Sequence, residues 1–170
     1  MRVFGIAGYS GTGKTTLIEK LIPYLVTHEK CTVAVLKHTH HDFDWDTPGK
    51  DSFRHRQAGA TQIMLSSSKR WIFAQELNDL TEPSLAEYLA HFQPCDLVLV
   101  EGFKTAHLPK LEVWRALSGK TPLYTSHPGV VALACDTPVP DCALPIIDIN
   151  DIAAAAHIAL THAVNLEKIR

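Results

Sequence analysis

A glycine-rich segment near the start of the chain has the spacing of a phosphate-binding loop. It runs from Gly8 to Thr15, fits the pattern G-x-x-x-x-G-K-[S/T], and lies between a short apolar run and a helical pattern. The glycines allow consecutive backbone N–H groups to face phosphate oxygens, and the N-terminus of the helix adds a favourable dipole. We therefore expect a nucleoside triphosphate to be bound by Ser10, Gly11, Thr12, Gly13, Lys14, Thr15 and Thr16.

Three side chains could carry the chemistry at such a site. Lys14 is expected to bridge the β- and γ-phosphates, and the Thr15 hydroxyl is expected to bind Mg²⁺. The apolar segment 97–100 leads into Glu101, as in a Walker B strand, where a carboxylate can hold Mg²⁺ through water or orient the attacking water. We predict that Lys14 and Glu101 are catalytic and that Thr15 and Glu101 bind the metal. The alternative for Glu101 is a solvated glutamate at a strand end.

A polar loop rich in histidine and aspartate, 37–50, is expected to leave the edge of the sheet at which the phosphates bind. Residues 38–46 could form a switch, or could bind a transition metal because imidazoles and carboxylates are metal ligands. A solvated loop is the alternative. Asp51 begins the next short helix and is a further candidate for binding Mg²⁺. Arg54 or Arg56 on that helix could reach a γ-phosphate, or could form a surface ion pair.

Hydrophobic periodicity predicts strands that alternate with helices. Strands are expected at 3–7, 31–36, 62–66, 71–75, 97–100, 111–114, 130–135 and 146–147, and helices at 51–58, 82–92 and 152–166, with a first helix that ends near residue 27. This pattern is typical of an α/β protein of the P-loop NTPase class, with three αβα layers and a mostly parallel sheet. A hairpin of the third and fourth strands could add an antiparallel extension. The length predicts a single nucleotide-binding domain over 1–170.

Composition argues against several classes of protein. The 170 residues are 46% hydrophobic and 20% charged, and the net charge of −2 gives no reason to expect nucleic acid or an anionic membrane as a partner. The first apolar run is too short for a signal peptide, and no apolar stretch could span a bilayer. The four cysteines form no C-x-x-C pair and are interpreted as reduced packing residues. We expect a cytoplasmic protein whose partners are small molecules and proteins.

Six segments occur in an order that is far more specific than a phosphate-binding loop alone. They are that loop, His38-Thr39-His40-His41-Asp42, Gly49-Lys50-Asp51-Ser52, Gln57-Ala58-Gly59-Ala60, Leu99-Val100-Glu101-Gly102-Phe103-Lys104 and Pro109-Lys110-Leu111-Glu112-Val113-Trp114-Arg115. With these segments the chain resembles the molybdopterin-guanine dinucleotide biosynthesis protein B family over nearly its whole length. The resemblance implies a small homodimeric GTP-binding protein with weak GTPase activity and with GTP and Mg²⁺ as cofactors. It also implies an adaptor that helps a separate molybdopterin guanylyltransferase to attach GMP to molybdopterin, which is itself a candidate ligand.

The sequence contains few signals for guanine selectivity. The chain has no Asn-Lys-x-Asp segment, by which many GTPases read guanine, but Asp136 follows the strand at 130–135 where such an acceptor carboxylate is expected. We therefore include Asp136 among the candidate nucleotide-binding residues. Two other functions remain open, a P-loop kinase that acts on a small molecule and a GTP-dependent chaperone for metal insertion.

Overall fold

Strands and helices alternate along the computed structural model, which describes residues 1–39, 42–78 and 80–169. The strands are β1 (Arg2–Ala7), β2 (Val33–Lys37), β3 (Gln62–Ser66), β4 (Trp71–Gln75), β5 (Leu97–Glu101), β6 (Lys110–Trp114), β7 (Val130–Cys135), β8 (Ile146–Asp148) and β9 (Val164–Asn165). The helices are α1 (Lys14–Thr27), α2 (Asp51–Gln57), α3 (Leu85–Ala90) and α4 (Ile152–His162). In the described ranges, no helix is long and apolar enough to cross a membrane.

Two predicted helix boundaries were wrong by three or more residues, and smaller differences occur at the ends of α2 and α3. The helix expected over 152–166 ends at His162, and the chain then forms β9, in which Val164 pairs with Val3 of β1. The helix expected from residue 82 begins at Leu85, because the side chain of Ser84 caps it by accepting a hydrogen bond from the Glu87 N–H. In both places a tertiary or capping contact overrides the helical periodicity.

The chain divides into two compact units, which are described separately. The larger contains Met1–His38 and the chain from Ser84 onward, and the smaller is Thr39–Pro83. The prediction that residues 1–170 form a single nucleotide-binding domain stays a prediction.

A mostly parallel sheet forms the centre of the larger unit. Within the described residues it has seven strands, ordered β2-β5-β1-β6-β7-β8, and the short β9 pairs with β1 in the antiparallel sense. Apolar residues on the two faces of the sheet pack against different helices: Phe4 and Ile6 pack with α1 and α4, whereas Val3 packs with Leu85 and Leu89 of α3. This alternation buries the strands on both faces and gives the three predicted layers.

The smaller unit contains α2 and the predicted hairpin. Strands β3 and β4 pair in the antiparallel sense, with Met64 opposite Phe73 and Leu65 opposite Ile72, and they form a separate two-stranded sheet. The hairpin therefore has the predicted strand bounds but does not extend the main sheet. Near it, Arg56 donates to both carboxylate oxygens of Asp44, at 2.8 and 3.0 Å.

Candidate nucleotide-binding site

The loop between β1 and α1 has the backbone conformation that its glycines were expected to provide. Gly8, Gly11 and Gly13 have φ values of 143°, 80° and 101°, which residues with a side chain rarely adopt. A Cβ at Gly8 would also lie 2.4 Å from the carbonyl oxygen of Val113 in β6, so this position requires glycine for space as well. Gly13 is the N-cap of α1, and the loop therefore directs the helix N-terminus at any bound anion.

The side chains of the loop converge on one backbone carbonyl. Lys14 Nζ donates to the carbonyl oxygen of Tyr9 at 2.8 Å, and the buried Thr12 hydroxyl donates to the same oxygen at 2.9 Å. Burial lowers the pKa of Lys14, while the nearby carboxylate of Glu101 opposes that effect. A charged phosphate oxygen is a stronger acceptor than a carbonyl, so Lys14 can exchange the Tyr9 carbonyl for a phosphate.

Glu101 lies where the predicted magnesium site requires a carboxylate. It is only 7% exposed, and its Oε1 accepts a hydrogen bond from the Thr15 hydroxyl at 3.2 Å. Lys37, its neighbour across the β2–β5 pair, places Nζ 3.6 Å from the same oxygen. Because Thr15 donates its proton to Glu101, the lone pairs of its hydroxyl oxygen can face a cation. Hydroxyl and carboxylate oxygens are suitable ligands for Mg²⁺, so these residues fit the ion expected from the sequence.

The turn after Glu101 is shaped by the neighbouring strand β2. Gly102 has a φ of 94°, and a Cβ there would lie 3.0 Å from the carbonyl oxygen of His38. The His38 N–H in turn donates to the carbonyl of Glu101 at 2.9 Å. Glycine at 102 thus permits the close approach that keeps the end of β5 beside the end of β2.

Asp136 is joined to the phosphate-binding loop through a residue for which the sequence suggested no role. Arg115 donates from Nε to the carbonyl of Thr12 at 3.0 Å and from a terminal nitrogen to Asp136 Oδ2 at 2.8 Å. Its guanidinium also lies 3.6 Å from the position that a Cβ on Gly13 would take. The available signal in the sequence was position: Arg115 directly follows the predicted strand at 111–114, and Asp136 directly follows the one at 130–135. In the structure, Trp114 pairs with Cys135, which brings the two residues together.

A family model and two relatives match most of the chain. Residues 3–136 match the family described as Molybdopterin guanine dinucleotide synthesis protein B, abbreviated MobB. The chain belongs to this family. The molybdopterin-guanine dinucleotide biosynthesis adapter proteins of Escherichia coli (strain K12) and Haemophilus influenzae (strain ATCC 51907 / DSM 11121 / KW20 / Rd) are 40% identical over 160 residues and 41% identical over 157 residues. Each alignment covers 91% of this chain, with 89% and 85% of the respective relative.

Solved MobB structures have the same fold. Bacillus subtilis MobB superposes with a TM-score of 0.72 at 23% identity, and the match covers 97% of this chain and 99% of that one. The MobB homolog from Bacillus stearothermophilus gives a TM-score of 0.66 at 24% identity, covering 94% and 98%. At these identities the likeness concerns the fold alone, and it confirms the predicted α/β fold with a mostly parallel sheet.

Most of the remaining described candidate metal ligands of this MobB-family chain, from Asp42 to Asp51, lie in the smaller unit. Asp51 is exposed, and its Oδ1 lies 4.0 Å from a terminal guanidinium nitrogen of Arg54. That Asp51 binds Mg²⁺ stays a prediction. In the histidine and aspartate loop, Asp46 accepts from the Ser52 hydroxyl at 2.8 Å, while His40 and His41 lie outside the described residues. Among the residues that are described, no three His, Cys, Asp or Glu side chains are grouped to hold a metal ion.

Strand β6 also contains two buried charged residues that sequence analysis did not single out. Lys110 is 2% exposed, donates from Nζ to the carbonyls of Ala106 and Leu108, and has a pKa that burial lowers to about 8. Glu112 is fully buried and accepts backbone N–H bonds from Leu123 and Tyr124 at 2.6 and 3.0 Å. Burial raises the pKa of Glu112, an effect that these two hydrogen bonds oppose. Both residues stabilise the loops that flank β6.

Proposed function

We propose that this chain is a GTP-binding accessory protein of molybdopterin guanine dinucleotide biosynthesis, with weak GTPase activity at most. The observation that carries the proposal is the Thr15–Glu101 contact at 3.2 Å beside a complete phosphate-binding loop, in a chain whose relatives are named as adapter proteins of that biosynthesis. The loop is suited to a nucleoside triphosphate, and the relatives' names suggest the process that uses it.

The nucleotide would be held by residues 10–16 together with Asp136. The backbone N–H groups and Lys14 would bind the phosphates, and Thr15 and Glu101 would hold Mg²⁺, with Asp51 as a further candidate ligand. When bound, Mg²⁺ neutralises charge on the β- and γ-phosphate oxygens. For Asp136 we propose a role in reading guanine, because a carboxylate can accept hydrogen bonds from the N1–H and 2-amino groups of that base.

The geometry favours an adapter over the guanylyltransferase itself. A loop of this kind grips the β- and γ-phosphates and supports attack at the γ-phosphorus, whereas GMP transfer requires attack at the α-phosphorus with pyrophosphate leaving. Glu101 is a candidate for orienting water, and its carboxylate is shared between the Thr15 hydroxyl and the Lys37 ammonium. We therefore expect slow hydrolysis and propose that a separate molybdopterin guanylyltransferase is the partner. Molybdopterin is a candidate ligand of the same complex.

A homodimer is also part of the proposal, and the exposed hairpin supports it. Met64, Trp71 and Phe73 are 63%, 59% and 39% exposed in a two-stranded sheet. An isolated hairpin is marginally stable in water, and its open edges can pair with another strand. A second copy of the chain would cover this apolar surface and satisfy the edges. A cytoplasmic location is proposed from the biosynthetic role and from the four free cysteines, which suit a reducing compartment.

The experiment uses GTP labelled on the α-phosphate, with molybdopterin as acceptor. Three reactions are compared: this protein alone, the guanylyltransferase alone, and both together, with a pull-down between the two proteins. We expect no labelled dinucleotide from this protein alone and more from the mixture than from the transferase alone. Dinucleotide formed by this protein alone would refute the adapter proposal. Parallel reactions with γ-labelled GTP would reveal the kinase alternative, because label would then appear on the acceptor.

Nucleotide binding itself is tested with Lys14→Ala and a matched control, Lys20→Ala. Lys20 is an exposed lysine of the same helix. Lys14→Ala should abolish measurable binding of GTP while the circular dichroism spectrum stays unchanged, because the Lys14 ammonium donates to a carbonyl of an exposed loop and not to a group of the core. Lys20→Ala should bind like the parent protein. Parental affinity in Lys14→Ala would contradict the phosphate assignment.

A further inference from the structure

The ring of Tyr9, the second residue of the phosphate-binding loop, lies beside two ammonium groups. Lys104 Nζ is 5.2 Å from the ring centroid and Lys120 Nζ is 4.6 Å from it. The two ammonium groups are therefore within about 10 Å of one another, roughly one Debye length at 0.1 M salt, so they repel each other. The aromatic face offsets part of this repulsion, because its quadrupole attracts cations.

The position of Lys120 is set by its own loop. The indole Nε1 of Trp114, at the end of β6, donates to the carbonyl oxygen of Lys120 at 2.8 Å. Between them the chain makes a 3₁₀ turn over Ala116–Ser118 and reverses at Gly119, which has a φ of 63°. The turn and the indole bond bring the chain back toward the loop that contains Tyr9. Lys120 is thus presented by a defined turn and does not simply extend from a strand.

Lys104 follows a strained turn after β5. Phe103, the residue before it, has a φ of 45°, a conformation that a residue with a large side chain adopts only when its surroundings impose it. The Phe103 ring packs against the ring of His38, with centroids 4.4 Å apart, and against Tyr88 at 6.1 Å. These contacts maintain the turn that directs Lys104 toward Tyr9. Strained turns of this kind cluster at binding sites.

The phosphate-binding loop has one cation of its own. Lys14 donates to the Tyr9 carbonyl of the loop, whereas the charge of Lys37 is balanced by the Glu101 carboxylate at 3.6 Å. The pKa of Lys14 is lowered chiefly by burial, and the charges of Lys104 and Lys37 contribute. A fully ionised triphosphate with its Mg²⁺ has a net charge of about −2, so Lys14, Lys104 and Lys120 together exceed it by about one positive charge. The additional positive charge at Tyr9 thus favours a second anion.

We propose that Lys104 and Lys120 form a second anion site beside the phosphate-binding loop, which takes a phosphate monoester group of a second molecule. The site rests on the proposed function in one respect, that a nucleotide occupies the loop itself. Lysine side chains are flexible, so two ammonium groups within about 10 Å of each other can converge on one compact dianion, and lysine is a common ligand of phosphate. The same phosphate chemistry could come from the γ-phosphate of the nucleotide, and the experiment separates these two sources.

The experiment measures the binding of inorganic phosphate, and of phenyl phosphate as a monoester, to protein loaded with Mg²⁺ and a non-hydrolysable GTP analogue. Isothermal titration at constant ionic strength compares the parent with Lys104→Gln/Lys120→Gln and with the control Lys20→Gln/Lys168→Gln. The control makes the same change of charge at two exposed lysines of the larger unit. We expect phosphate affinity to fall about tenfold or more in the first variant and to change less than about twofold in the control.

The affinity for the GTP analogue decides between the two sources of phosphate. It should change less than about threefold in Lys104→Gln/Lys120→Gln if the site serves a second molecule. A tenfold or larger loss of analogue binding, roughly one full charge-assisted contact, would instead assign these lysines to the γ-phosphate and overturn the proposal. Absence of phosphate binding to the loaded parent protein would also overturn it.

Failure of the proposed function would be recognised separately. If the parent protein does not bind the GTP analogue, the nucleotide assignment is wrong, but the second site can still be tested in the Lys14→Ala protein. There the lysine of the loop is absent, and phosphate binding that depends on Lys104 and Lys120 would support the second site. Equal phosphate binding with and without these two lysines would refute it.

Discussion

Arg115 allows a quantitative test of how the phosphate-binding loop is held. Its Nε donates to the Thr12 carbonyl at 3.0 Å, and a bond with a charged donor contributes about 1.5–3 kcal/mol, with the lower end expected at a partly exposed position. Its ion pair with Asp136 joins side chains that are 38% and 26% exposed, so solvent screening limits that contribution to less than about 1 kcal/mol. Arg115→Ala should therefore destabilise the binding conformation of the loop by about 2 kcal/mol.

This destabilisation should appear as a loss of nucleotide affinity. Because apparent affinity falls with the population of the binding-competent loop, about 2 kcal/mol corresponds to a loss of roughly 10- to 30-fold. Titration with GDP and GTP in the presence of Mg²⁺ measures it, with thermal unfolding as the control for an intact fold. The nucleotide affinity of Arg115→Lys should lie between those of the parent and Arg115→Ala, because one ammonium group cannot reproduce the planar guanidinium that reaches two acceptors. A change in nucleotide affinity of less than about twofold in Arg115→Ala would refute this reasoning, and Arg115 would then form no more than a surface ion pair with Asp136.

Comparison of several nucleotides distinguishes the role of the Arg115 bond to Thr12 from the role of Asp136. Burial opposes ionisation of Asp136, but hydrogen bonds from Arg115 and Thr137 lower the pKa of this carboxyl, so it is an acceptor at neutral pH. Loss of the Arg115 support should lower the affinities for GTP, ITP and ATP equally, since all three have the same phosphates. Asp136→Asn should lower the affinity for GTP more than the affinity for ITP, which lacks the 2-amino group. An unchanged ratio of GTP to ITP affinity in Asp136→Asn would contradict the proposed base reading.

Three further predictions concern hydrolysis, stability and assembly. Glu101→Gln keeps an acceptor for the Thr15 hydroxyl but loses the charge, so single-turnover GTP hydrolysis should slow about a hundredfold while affinity changes little; a parental rate would make Glu101 structural. The folded-state pKa of Lys110 is about 8 against 10.5 in the unfolded chain, so stability should rise by up to about 3 kcal/mol between these pH values, where the unfolded state binds more protons. Urea unfolding of Lys110→Met should lack this rise, and equal pH slopes would exclude Lys110 as its cause. Met64→Glu, at a position 63% exposed, should convert the proposed dimer to a folded monomer in sedimentation, whereas a persisting dimer would place the interface elsewhere.

Local signals predicted the parts of the structure that depend on neighbouring residues in the chain. The hairpin strands Gln62–Ser66 and Trp71–Gln75 have the predicted bounds, because two short apolar runs with a short polar turn between them are sufficient to indicate a hairpin. The loop from Gly8 to Gly13 was likewise predictable, since positive φ values require glycine there. Glu101 was found because it ends an apolar strand of the expected length.

Contacts between distant residues were not predictable in the same way. The Arg115 bond to Thr12 spans 103 residues and exists only because β6 is placed between β1 and β7. Hydrophobic periodicity identifies strands but does not order them in a sheet. The end of α4 was mispredicted for a related reason, because Val164 leaves the helix to pair with Val3 at the other end of the chain. Sequence reasoning lacked the strand order in both cases.

The strand order also explains why carboxylates can lie beside an anion site. Glu101 ends β5 on one side of β1, and Asp136 follows β7 on the other, so both flank the loop that begins at Gly8. Unpaired carboxylates at these positions would repel phosphates. Each instead has a cationic partner, Lys37 for Glu101 and Arg115 for Asp136. An anion site alone would be stronger without either carboxylate, so their presence favours ligands that need acceptors, a metal ion on the β5 side and a base with N–H donors on the β7 side.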